Sequence, residues 1–133
     1  MPTIKKRILC AEPHEDICRL LTLLLEQQGH EVKSAPTISD CLELAASEQF
    51  DLFLLNDRYI DGDGLALCRQ LRRRHGEVPI LFFTSAAFLK DRQQGMEAGA
   101  SAYLTKPGDV VEVVQTINAL LEPRKVDTRA GGR

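Results

Sequence analysis

Two hydrophobic periodicities alternate along the chain. Ile8-Leu9-Cys10-Ala11 is a short unbroken apolar run, the pattern of a strand covered on both faces. Ile17, Leu20, Leu21, Leu24 and Leu25 then recur at i, i+3, i+4, i+7 and i+8, which predicts a helix opened by Glu15 and Asp16 and closed by Gly29. Glu31-Val32-Lys33-Ser34-Ala35 alternates polar and apolar and predicts a half-exposed edge strand. Thr37-x-x-Asp40 reads as a capping box ahead of Ile38, Cys41, Leu42, Ala45 and Ala46 at helical spacing. Leu52-Phe53-Leu54-Leu55 predicts a second buried strand, followed by a turn-rich loop from Asn56 to Gly64. The next helix carries Leu67, Cys68 and Leu71, ends in Arg72-Arg73-Arg74-His75, and stops at Gly76 and Pro79. Ile80-Leu81-Phe82-Phe83 predicts a third buried strand, and a less regular helix from Phe88 to Ala98 ends at Gly99. Ala102-Tyr103-Leu104 is a short last strand, and Val110, Val113, Val114, Ile117 and Leu121 form a final stripe between Asp109 and Pro123.

Five strand–helix units in succession predict an α/β fold, a flavodoxin-like (βα)5 three-layer sandwich around a parallel five-stranded sheet. The two polar-tinged strands, second and fifth, belong at the edges, and the order 2-1-3-4-5 satisfies that placement together with right-handed crossovers. The domain spans residues 4–122, and residues 123–133 read as a polar, Gly/Arg-rich tail or linker. In such a sheet the functional crevice lies beyond the C-terminal ends of the strands, where the order reverses. The residues to read are therefore Glu12-Pro13-His14, Asn56-Asp57-Arg58, Thr84-Ser85-Ala86 and Thr105-Lys106-Pro107.

Composition narrows the function classes. With 133 residues, 44% hydrophobic and 27% charged, the chain has the make-up of one globular domain large enough for its own core. A net charge of −2 supplies no field toward nucleic acid or an anionic membrane, and no apolar run approaches the length of a membrane span. Only four residues separate Lys5-Lys6-Arg7 from Glu12, which leaves no room for a leader, so a cytoplasmic location is expected. Cys10, Cys18, Cys41 and Cys68 lack CxxC spacing and sit in apolar patterns, so they read as buried free thiols.

From Ile8 to Leu121 the chain resembles the receiver domains of two-component response regulators (CheY-like). The matching stretches are Ile8–Ala11, Asp51–Asn56, Asp63-Gly64-Leu65, Pro79–Thr84 and Gly99–Pro107, with Tyr103 three residues before Lys106-Pro107. The resemblance implies Mg²⁺ held by two acids after the first strand and by an aspartate ending the third, which accepts a phosphoryl group. It implies that Thr84 and Lys106 would bind that group and that Tyr103 is the aromatic that changes rotamer on activation.

The acidic half departs from the pattern. The family's acidic pair is Glu12-Pro13 here and its acceptor position is Asn56, a register fixed by Asp63-Gly64 seven and eight residues on. An amide has no anionic oxygen to attack phosphorus. Mg²⁺ needs hard, charged oxygens, and of three expected carboxylates Glu12 alone remains. The loss of Pro13's acid as well argues against a single engineered change at Asn56. The expected pocket has no cofactor, with Mg²⁺ binding weak or absent, and Glu12 and Lys106 neutralise each other with Asn56 as a bridge. Asp57 is one residue out of register, and strand alternation is expected to turn it away from the pocket.

The leading expectation is a degenerate receiver acting as a phosphorylation-independent interaction module, binding a histidine kinase or downstream effector through the Phe88–Leu121 face, or binding itself. The rivals are a phospho-accepting receiver using Asp57, the receiver part of a larger signalling protein, and a redox sensor that forms a linked dimer through Cys18, Cys41 or Cys68. His14 reads as a solvated residue at a helix start, and Arg72-Arg73-Arg74-His75 as a solvated helix end rather than a nucleic-acid patch. A calcium loop starting at Asp61 fails, because Leu65 and Arg72 would fall at ligand positions. There is no phosphate loop, dinucleotide fingerprint or nucleophile elbow.

Overall fold

A computed structural model describes residues 5–106, 108 and 110–122. Its elements in chain order are β1 (Arg7–Ala11), α1 (Glu15–Gln27), β2 (Glu31–Ser34), α2 (Ile38–Ser47), β3 (Leu52–Leu55), β4 (Arg58–Tyr59), β5 (Gly62–Asp63), α3 (Gly64–His75), β6 (Ile80–Thr84), α4 (Leu89–Glu97), β7 (Ala102–Thr105) and α5 (Val110–Leu121). The main sheet runs β2-β1-β3-β6-β7 with every neighbour parallel, which is the order 2-1-3-4-5 among the five long strands. Pro107, Asp109, Pro123 and the tail over 123–133 lie outside the described residues.

The unbroken apolar runs occupy the middle of the sheet because both of their faces are covered. Ile8, Cys10, Leu52, Leu54, Leu81 and Phe83 point to one side, where Leu21 and Leu25 of α1 and Val113, Val114 and Ile117 of α5 bury them. Leu9, Ala11, Phe53, Leu55 and Phe82 point to the other, against Cys41 and Ala45 of α2 and Leu67, Cys68 and Leu71 of α3. The two-residue alternation of a strand thus sorts each apolar run into two separate cores. β2 and β7, whose sequences carry polar positions, lie at the edges and stay partly exposed.

Three local features differ from the sequence expectation. The loop between β3 and α3 contains an antiparallel ribbon, β4 with β5, which turns through Ile60 and Asp61 into Gly62, at φ +152°. From this ribbon Asp61 reaches the start of α2, where Oδ1 accepts from Ile38 N–H at 2.9 Å and Oδ2 from Ser39 N–H at 3.0 Å. The Thr37 hydroxyl accepts from Asp40 N–H at 3.0 Å beside it. The end of α3 is not simply solvated. Arg72 donates from Nε and Nη2 to Gly99 O at 3.1 and 2.6 Å, and from Nη1 to Val78 O at 2.8 Å and to Gly76 O. Loop carbonyls that no ladder satisfies surround this helix end, and a planar five-donor guanidinium serves them together. His75 packs edge-on against Phe53, ring centroids 5.4 Å apart.

Candidate functional site

The C-terminal ends of β1, β3, β6 and β7 converge on one crest, as the parallel topology requires. Tyr59, from the ribbon, bridges the ends of β1 and β3. Its buried hydroxyl donates to Ala11 O at 2.6 Å and accepts from Asn56 N–H at 2.8 Å, and burial pushes its pKa well above the ordinary phenol value. Gly64 lets the chain close underneath, since a Cβ there would fall 2.0 Å from Asn56 O. Its N–H donates to Asp57 O at 2.8 Å and fixes the turn that presents residues 56 and 57.

At the crest Lys106 extends from the end of β7 and places Nζ 2.9 Å from Glu12 Oε1. The Glu12 carboxylate is fully buried and the Lys106 side chain is 11% exposed. This contact is one of charge rather than of an aligned hydrogen bond, for Oε1 makes no hydrogen bond of its own. The other oxygen, Oε2, accepts from His14 N–H at 2.9 Å and lies 2.9 Å from His14 Nδ1. Lys106 Nζ also donates to Asn56 Oδ1 at 3.3 Å and stands 5.5 Å above the Phe83 ring. The Asn56 amide nitrogen donates to Arg58 O at 2.9 Å, so both ends of that side chain are engaged within the chain. Pro13 offers no side-chain donor or acceptor. His14 is the N-cap residue of α1 with its ring largely exposed, but the ring is tied to Glu12 instead of standing free.

A second polar chain runs along the edge of the crest. The fully buried Thr84 hydroxyl donates to Asp57 Oδ1 and accepts from Ala86 N–H at 3.1 Å. Ala86 O in turn accepts from the Tyr103 hydroxyl at 2.6 Å. Tyr103 is held inward, 4% exposed, and burial raises its pKa to about 12. Its ring fits because α4 carries Gly95 there: a Cβ on that residue would lie 2.8 Å from Tyr103 Cδ2. Asp57, Asp63, Asp91, Gln94 and Tyr103 line a cleft of about 560 Å³ beside this chain.

The position of Asp57 corrects the expectation that it turns away. Strand alternation holds only where there is a strand, and β3 stops at Leu55. Past that point the turn closed by Gly64 re-aims the carboxylate at Thr84. Glu12, Asn56 and Lys106, singled out in the sequence, meet at this crest, and Thr84 and Tyr103 lie along its edge, whereas Tyr59 and Gly95 were missed. The lone aromatic of a mostly polar loop was the available signal for Tyr59.

A sequence profile of the family described as "Response regulator receiver domain" matches residues 8–118. Among curated proteins, the DNA-binding dual master transcriptional regulator RpaA of Synechocystis is 36% identical over 117 residues, covering 86% of this chain and 48% of that protein. The alkaline phosphatase synthesis transcriptional regulatory protein PhoP of Bacillus subtilis is 33% identical over 123 residues, covering 92% of this chain and 51% of that protein. The chain thus spans about half the length of these relatives. Among solved structures, the non-phosphorylated HemR receiver domain from Leptospira biflexa superposes with a TM-score of 0.84 at 30% identity, covering 91% of this chain and 98% of that one.

Proposed function

This chain belongs to the response regulator receiver domain family of two-component signalling, and we propose that it is a pseudo-receiver, a protein–protein interaction module that works without being phosphorylated. The observation that carries this reading is the side chain of Asn56, a neutral amide whose oxygen lies 3.3 Å from Lys106 Nζ and whose nitrogen is bonded to Arg58 O. With no anionic oxygen there, an acyl phosphate cannot form at the acceptor position.

The family implies Mg²⁺, and the donor set supports the opposite reading. Glu12 is the one carboxylate at the family's three ligand positions, and its oxygens already face Lys106 and His14. Pro13 and Asn56 bring no charge, and a hard dication requires charged oxygens. The residues do not fit the metal, and the Lys106 ammonium already supplies positive charge to the one carboxylate present. The proposed partner is a histidine kinase or a downstream effector docking on the Phe88–Leu121 face, with self-association as the alternative. Phe88 and Leu89, 75% and 71% exposed, give that face apolar contact surface. The reading holds equally for a free-standing chain and for the receiver part of a larger signalling protein.

The test is incubation of the purified chain with acetyl phosphate and Mg²⁺, followed by intact mass. The expected result is no added phosphate, and a hydroxylamine-labile adduct overturns the proposal. One observation favours a second reading, in which Asp57 is the acceptor: its carboxylate is hydrogen-bonded to Thr84, the residue matched to phosphoryl binding. An adduct on the natural chain that disappears in Asp57→Asn would establish that second reading.

A further inference from the structure

Two of the four free cysteines meet in the core directly beneath the crest. Cys10 points from β1 toward α1, and Cys18 points back from the first turns of α1 in the same apolar cluster. Their Sγ atoms are 3.6 Å apart. We infer that Cys10 and Cys18 form an intramolecular redox pair, which a hydroperoxide oxidises to a disulfide bridging β1 to α1.

A disulfide requires about 2.05 Å between sulfurs, so the pair must close by roughly 1.5 Å. The two residues lie on separate elements joined by the short Glu12-Pro13-His14 connection. Cys18 is the nucleophile. It is 8% exposed where Cys10 is 1%, and Cys41 and Cys68 are fully buried. Its hydrogen bond with Cys10 lowers its thiol pKa against the opposing effect of burial, with the Thr22 hydroxyl helping. Its place near the N-terminus of α1 acts in the same sense. Burial pushes Cys41 up to about 12 and Cys68 up to about 11, so neither competes. The sequence had suggested a linked dimer through Cys18, Cys41 or Cys68, whereas the geometry pairs Cys18 with Cys10 of the same chain.

The chemistry balances with hydrogen peroxide as oxidant. The Cys18 thiolate attacks one peroxide oxygen, the O–O bond breaks, and hydroxide leaves and takes up the proton that Cys18 gave to solvent. Cys10 sulfur then attacks the Cys18 sulfenic sulfur, forming S–S as S–O breaks, and its proton leaves in a second water. Two electrons pass from the dithiol to the peroxide, which ends as two waters. The bridge encloses residues 10–18 and therefore ties down the segment carrying Glu12 and His14.

The test is brief exposure of the native full chain to hydrogen peroxide, alkylation of the remaining thiols, and mass analysis. The sequence is favourable, because trypsin releases Ile8–Arg19 with both cysteines on one peptide and Cys41 and Cys68 on others. The expected product is a monomer with two alkylated thiols, the Ile8–Arg19 peptide lighter by two hydrogens, and full recovery with dithiothreitol. Cys41→Ser and Cys68→Ser should leave that product unchanged, and Cys18→Ser should abolish it. Four alkylated thiols after treatment, a disulfide-linked dimer as the main product, or sulfinic acid at Cys18 with Cys10 still alkylated would each overturn the inference. The principal measurement is made on the unsubstituted chain, so a variant that fails to fold does not blunt it.

Discussion

Replacing Glu12 by Gln removes one charge from the buried contact with Lys106 and keeps the shape. Breaking a buried ion pair by removing one partner typically costs about 3–5 kcal/mol, because the surviving charge is left uncompensated. Here Lys106 keeps the Asn56 carbonyl at 3.3 Å, and its side chain is 11% exposed, so water reaches part of it. The cost therefore falls at or just below the bottom of that range, and we expect Glu12→Gln to destabilise the fold by about 2–3 kcal/mol. For a chain of this size that corresponds to a fall in Tm of about 6–15 °C. Lys106→Met leaves the fully buried Glu12 carboxylate facing only His14, whose N–H donates to it, and we expect the full cost of about 3–5 kcal/mol. In the double variant Glu12→Gln/Lys106→Met no charge is left unpaired. Urea unfolding of the four proteins should therefore show the double variant no less stable than the worse single one, a coupling of about 2 kcal/mol or more. Losses that add to within about 0.5 kcal/mol, or single variants as mild as a surface change, would refute the pairing.

Three other substitutions test the framework around that pair. Tyr59→Phe leaves Ala11 O and Asn56 N–H without their shared partner and should cost about 1–3 kcal/mol by urea unfolding. Gly95→Ala drives a methyl group to 2.8 Å from the Tyr103 ring, so the Tyr103 ring resonances should shift in NMR, with stability lower by about 1–3 kcal/mol. Asp61→Ala removes the carboxylate that the Ile38 and Ser39 N–H groups hold below its usual pKa range. A depressed carboxyl contributes stability above its unfolded pKa of about 3.9 and loses it as pH falls through its lower folded pKa. The Tm difference between Asp61→Ala and the natural chain should accordingly be present at pH 7 and vanish in strong acid.

Legibility in the sequence followed burial. β1, β3 and β6 are covered on both faces and announce themselves as unbroken apolar runs, while β2 and β7 show their polar positions and sort to the edges. β4 and β5 have two residues each, too few for any period to register, so the ribbon was invisible. Its consequences were hidden with it: Tyr59 as the strut between β1 and β3, and Asp61 as a cap on α2 from 22 and 23 residues away in sequence. Asp57 was misplaced because alternation was carried two residues past the end of β3. Arg72 was read as solvated because its partners are loop carbonyls, which carry no residue signature in a sequence.

The two polar chains at the crest share a feature that bears on how such a domain is regulated. Lys106 and Thr84, the residues matched to phosphoryl binding, each already touch an anionic side chain of the same molecule, Lys106 through Glu12 and Thr84 through Asp57. An incoming phosphoryl group would meet both carboxylates, one of them fully buried, so like charge opposes its entry. Thr84 leads through Ala86 to an inward Tyr103, so an internal carboxylate anchors the polar chain that connects the crest to the base of α4. On the proposed reading, no covalent mark is needed to hold Tyr103 inward. Partner occupancy of the Phe88–Leu121 face is then set by concentration and affinity. A ligand shifts a conformational equilibrium only by its differential affinity for the two states.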